Sequence, residues 1–229
     1  MDSRERVLEA CRALAAAGQQ DMVWGHAALR DEDGRGVWIK RSGVGYDELD
    51  ASDIHLVGWD AELVEGEGKP HIEVFIHLGI MRARPDAVMT VHAHAAAVNA
   101  FTALDEPLRA ISHEGVLFAD PQVPRTALPG DLVSDAALGA ALAADLGRAP
   151  ACLMPRHGFV AVGASDAEAV MTAVLLEAAC RLHLDARAAG EIRSFSGAEE
   201  IRQKQAHVWP QSQIEAGYAY LRRRAEARR

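Results

Sequence analysis

The sequence predicts a single three-layer α/β domain. Three observations lead there. Helical and strand-like periodicities are interleaved along the chain, which sets helices against a sheet. There is no internal repeat, and no linker marks a second domain. The 229 residues, 49% hydrophobic and 25% charged, are enough to bury one full core.

Residues 3–18 carry Val7, Leu8, Cys11, Leu14 and Ala15 on one helical stripe. Asp2 and Glu5 form a capping pattern, and Gly18 is the stop. Short strands at 27–30, 37–40 and 54–59 follow, joined by turns, with a loop at 65–70. Residues 73–83 read as a helix that ends before Arg84-Pro85, because proline disfavours helix in its predecessor. A buried strand at 87–91 precedes a short helix at 95–104. Further short strands are expected near 108–111 and 115–118. Residues 134–146 are Ala- and Leu-rich and helical. Strands at 151–154 and 159–162 flank a turn. Ser165-Asp166-Ala167-Glu168 caps a long apolar helix to 189, with Gly190 as its stop. Helices at 197–208 and 213–224 form a C-terminal helical tail, and the basic end 222–229 reads as frayed and solvated.

Charge and composition narrow the function. Lys plus Arg number 24 against 33 Asp plus Glu, a net charge of −9. That balance argues against nucleic acid as a partner. No apolar run approaches a membrane span, and the N-terminus lacks an apolar signal core. Cys11, Cys152 and Cys180 form no framework, which points to reduced thiols and a cytoplasmic protein.

The sharpest local feature is Val91-His92-Ala93-His94. At a strand end, a spacing of two puts both imidazoles on one face, which suits a metal such as Zn, Mn or Fe. In Arg156-His157-Gly158, His157 is either a third ligand or a turn histidine bonding its own loop; the glycine permits close backbone approach. Glu73 and His77, at i and i+4, share a helix face. Glu73 is a candidate acid/base, and His77 reads as a structural partner.

The run from Glu73 through His77, Arg82-Ala83-Arg84-Pro85-Asp86 and His92-Ala93-His94 resembles the class II aldolase/adducin family. So do His157-Gly158 with Gly163, and Ser42-Gly43 ahead of Tyr46, Leu49 and Asp53. The resemblance implies a central, mostly antiparallel sheet flanked by helices. It also implies a homotetramer with sites near subunit interfaces. It makes His92, His94 and His157 ligands of one divalent ion per chain (Zn2+, Mn2+, Fe2+ or Co2+). Glu73 becomes the acid/base, or a fourth ligand when substrate is absent. The family's C-terminal aromatic has no match here; Trp209, Tyr218 and Tyr220 read as packing residues.

Sugar-phosphate members of that family place Gly-Asn and Ser-Ser in a phosphate cradle. Here the equivalents are Gly25-His26 and His71-Ile72. Losing an amide and two hydroxyls removes short phosphate donors. With Arg41, Ser42 and Gly43, these histidines suit a carboxylate or phenolic oxygen, and His113 either lines the pocket or anchors a loop. A family branch similar to this chain decarboxylates hydroxylated aromatic acids. The expected function is therefore a metal-dependent carbon–carbon lyase that decarboxylates an ortho-hydroxy aromatic carboxylic acid, the charge passing through a metal-stabilised enolate. The alternatives are an aldolase or epimerase on a sugar or sugar phosphate, a non-haem iron oxygenase, and a non-catalytic interaction protein.

Overall fold

The computed structural model, which describes residues 1–227, is built around seven strands: β1 (His26–Arg30), β2 (Gly36–Lys40), β3 (Ile54–Gly58), β4 (Leu63–Glu65), β5 (Met89–Ala93), β6 (Ala151–Met154) and β7 (Gly158–Gly163). They form one sheet in the order β4-β3-β2-β1-β5-β7-β6, every neighbouring pair antiparallel. The expected class, a sheet between helical layers, is what the chain adopts.

Alternation along the strands fills both faces. Ala27, Leu29, Val91 and Phe159 face one apolar cluster with α1 (Ser3–Ala16), α3 (Ala96–Thr102), α6 (Asp166–Ala189) and α8 (Gln211–Glu226). Ala28, Ile39, Cys152 and Val160 face a second cluster, covered by α2 (Val74–Ala83) and α5 (Ala136–Leu146). The caps behave as their residue types dictate. Asp2 accepts from the Glu5 N–H at 2.8 Å, and Ser165 accepts from the Glu168 N–H at 3.1 Å. Helices α2 and α5 cross closely: a Cβ on Gly79 would lie 2.3 Å from the Gly139 carbonyl oxygen.

Three expectations are corrected. Residues 108–111 form no strand, and 115–118 give way to a single helical turn, α4 (Val116–Ala119). A four-residue apolar run has no periodicity that separates strand from helix. Here Val116 packs with Ala110 and Ile201 of α7 (Ala198–Gln205) away from the sheet. Strand β4 was not anticipated; Ala61, in a left-handed turn, brings it back against β3. The basic end is ordered further than expected, since α8 runs to Glu226 and Arg222 Nε pairs with Glu9 at 2.7 Å. Residues 228–229 of the expected frayed tail lie outside the described residues.

The sheet margins are short or covered. β4 has three residues. Beyond β6, Thr126 N–H donates to Leu153 O at 2.9 Å, and Leu153 N–H donates to Pro124 O at 2.8 Å.

Candidate metal centre

β5 lies between β1 and β7, and His92 pairs with His26 on one side and Val160 on the other. His26, Thr90 and His92 therefore point to the sheet face covered by α2. His94 stands just past the strand end. His92 Nδ1 donates to Phe159 O at 2.9 Å, because a carbonyl can only accept. His94 Nδ1 meets Asp21 Oδ2 at 2.8 Å. Both rings thus turn their Nε2 atoms to one point, 3.0 Å apart. Two lone pairs at that distance repel unless a proton or a cation sits between them.

His157 joins from the β6–β7 turn. Glycine is needed after it: a Cβ on Gly158 would lie 2.5 Å from Ala93 O and 2.8 Å from the His94 ring. His157 Nε2 is 3.4 Å from Glu73 Oε1, while Glu73 Oε2 is 3.8 Å from both His92 Nε2 and His26 Nε2. Glu73 stands at the residue before α2, where its side chain makes no capping bond to the helix; instead its Oε1 accepts from the Val133 N–H at 3.1 Å. One ligand atom from each of Glu73, His92, His94 and His157 lies within 4.8 Å of the other three. Three imidazoles and a carboxylate, two of the imidazoles with their outer nitrogens already bonded, are a donor set that fits a divalent ion.

Burial favours neutral rings, the form a metal ligand needs. It lowers His26 and His92 well below the ordinary imidazole range, His71 to about 4 and His77 to about 3. For Glu73, burial raises the carboxyl, but the facing imidazoles of His157 and His26 and the neighbouring His92 bring it below the ordinary carboxylate range.

The structure brings the two altered cradle residues together. His26 and His71 have ring centroids 4.2 Å apart, and the Glu73 N–H donates to His71 Nδ1 at 3.3 Å. Lys40 Nζ ties the segment before β1 to the loop after β2, donating to Val23 O at 2.7 Å and Val44 O at 2.8 Å. In that loop Arg41 pairs with Asp53 at 2.5 Å, and Ser42 and Gly43 are exposed. His113 is not brought to the centre within this chain. It lines a separate cavity with Ser112, Phe195 and Lys204, and its carbonyl accepts from Trp209 Nε1 at 2.9 Å. Tyr218 is buried in packing, and Tyr220 is exposed.

The centre opens into a cavity of about 370 Å³, lined by His94, His157, Asp21, Asn99, Leu132 and Arg156. Sequence reasoning missed Asp21, Asn99, Leu132 and Arg156. Asp21 and Asn99 carry no motif. Arg156 directly precedes a candidate ligand, which is the one signal it offered. Its backbone is left-handed, with φ of 66°, and its exposed guanidinium has no partner among the described residues.

Residues 5–184 match the family model described as Class II Aldolase and Adducin N-terminal domain. The chain belongs to this family. A curated relative, the 3,4-dihydroxyphthalate decarboxylase of Terrabacter sp. (strain DBF63), is 32% identical over 86% of this chain and 87% of its own length. Among solved structures, the L-fuculose 1-phosphate aldolase from Glaciozyma antarctica PI12 superposes with a TM-score of 0.85 at 24% identity, covering 98% of this chain and 88% of that one. An aldolase II superfamily protein from Pseudomonas syringae gives 0.85 at 25% identity, with 98% and 92% covered.

Proposed function

We propose that this class II aldolase relative is a metal-dependent carbon–carbon lyase that decarboxylates an aromatic carboxylic acid bearing an ortho hydroxyl. One observation carries the reading: three imidazoles and Glu73 converge beside a cradle whose phosphate-binding positions hold His26 and His71. The decarboxylase among its relatives supports the reaction type. Arg156, which lines the cavity and has no partner among the described residues, supports an anionic substrate.

His92, His94 and His157 hold the divalent ion in this reading. Such an ion, Zn2+, Mn2+, Fe2+ or Co2+, supplies Lewis acidity where negative charge develops on the substrate oxygens. Glu73, ionised at rest, takes the proton of the substrate hydroxyl. The bond from ring carbon to carboxylate breaks, its electron pair stays on the ring, and carbon dioxide leaves. Glu73 then returns its proton to that carbon, which restores the carboxylate. His26 and His71 hold the remaining substrate oxygens in place. Burial of Glu73, His26, His71 and His92 strengthens their polar contacts. A cytoplasmic homotetramer with sites near subunit interfaces belongs to the same proposal; the buried free thiols of Cys11, Cys152 and Cys180 suit a reducing compartment.

The test is metal analysis of protein purified without chelator, together with a carbon dioxide release assay. The assay uses a panel of ortho-hydroxy aromatic carboxylates, with and without air. About one metal per chain and oxygen-independent release are expected. Bound metal with cleavage of a sugar phosphate and no release from any acid overturns the proposal in favour of an aldolase.

A further inference from the structure

Behind Glu73 runs a line of buried polar groups that no ligand role accounts for. His26 Nδ1 lies 2.6 Å from His77 Nε2, and His77 Nδ1 lies 2.5 Å from Thr90 Oγ1. All three residues are fully buried. At the other end, His26 Nε2 has no hydrogen-bond partner among the described residues and faces Glu73 Oε2 at 3.8 Å.

Proton counting gives this line a direction. Each neutral ring carries one N–H, and the hydroxyl carries one O–H. Suppose His77 donated from Nδ1 to Thr90. The Thr90 hydroxyl would then need a second acceptor, and His77 is its one hydrogen-bond partner among the described residues. His26 would also have to donate from Nδ1, leaving its Nε2 lone pair facing the carboxylate oxygen. The opposite direction satisfies the Thr90 O–H and the His77 N–H, and turns a proton rather than a lone pair of His26 toward the Glu73 carboxylate. Thr90 donates to His77 Nδ1, His77 Nε2–H donates to His26 Nδ1, and His26 Nε2–H faces Glu73. A buried donor or acceptor left unmade is costly, so the second arrangement is favoured.

We propose that Thr90 and His77 are positioning residues that hold His26 as its Nε2–H tautomer, a fixed hydrogen-bond donor toward Glu73 and toward any carboxylate oxygen that takes its place. The line begins on β5, two residues before His92, and passes through α2, four residues after Glu73. The same two elements that carry the candidate centre thus set the polarity of its neighbour. The consequence is selective: an oxygen acceptor is welcomed at this point and an N–H or O–H donor is refused. Its effect on turnover rests on the decarboxylase reading; the tautomer does not.

Nuclear magnetic resonance of metal-free protein carrying isotope-labelled histidine reads the tautomers directly, with His26→Asn assigning the signal. A proton on Nε2 of both His26 and His77 is expected. A proton on Nδ1 of either ring overturns the proposal, whatever reaction the protein catalyses. The second arm is the near-isosteric Thr90→Val, which removes the hydroxyl that gives the line its direction, and Thr90→Ser, which keeps it. In metal-loaded Thr90→Val, both His26 tautomers become populated. kcat on whichever acid the release assay selects falls about tenfold, with KM and metal content little changed. Thr90→Ser restores the single tautomer and kcat. A Thr90→Val protein that keeps one His26 tautomer and full kcat overturns the proposal.

Discussion

Glu73 differs from His92 and His94 in what binds it. His92 and His94 have outer nitrogens fixed by Phe159 O and Asp21, while Glu73 is held by one backbone N–H and faces imidazoles on two sides. A carboxylate so placed is free to exchange a proton without dismantling the imidazole cluster. Glu73→Gln is therefore expected to retain metal and to lose turnover by roughly 10²–10⁴-fold. Metal content and kcat measured on one preparation decide it, and unchanged turnover rules out the acid/base role. The histidine spacing and the family likeness made Glu73, His92, His94 and His157 legible in the sequence. Asp21 was not, because it meets His94 across 73 positions and no local pattern announces such a contact. Thr90 reads as one more strand residue until α2 places His77 over it.

At the scale of elements, legibility followed the strength of the local signal. Capped amphipathic helices such as α1 and α6 were readable to within two residues at either end. The short apolar runs near 108–118 were not, since their fate depends on which distant surface covers them. The pairing of α2 with α5 was also hidden, because it rests on two glycines sixty positions apart in the chain. A Cβ at Gly79 would meet the Gly139 carbonyl, and one at Gly139 would lie 2.3 Å from Phe75 O. Gly79→Ala is expected to push the helices apart and destabilise the protein by about 2 kcal/mol. Denaturant unfolding checks this. A loss below about 0.5 kcal/mol shows that the helices separate at little cost, and that the contact is looser than its geometry implies.

For the molecule as a whole, buried histidines set how stability responds to acid. His77 titrates near 3 in the fold, lowered by burial, against an ordinary value of 6.5. Between those values the unfolded chain binds a proton that the folded chain refuses. Stability is thus fully present above 6.5 and declines as pH falls, by up to about 1.4 kcal/mol per pH unit for such a ring. Metal-free protein is expected to lose melting temperature below pH 6.5 more steeply than His77→Gln does; equal slopes contradict the assignment. The architecture also constrains association. One margin of the sheet is the three-residue β4, and the other is already occupied by the segment around Arg125. The short β4 margin and the covered β6 margin leave little ladder for a neighbour to extend, so contact between copies would fall to side chains on helices and loops. Growth by strand addition, the route to fibrous assemblies, is blocked at the β6 end and limited to three residues at the β4 end.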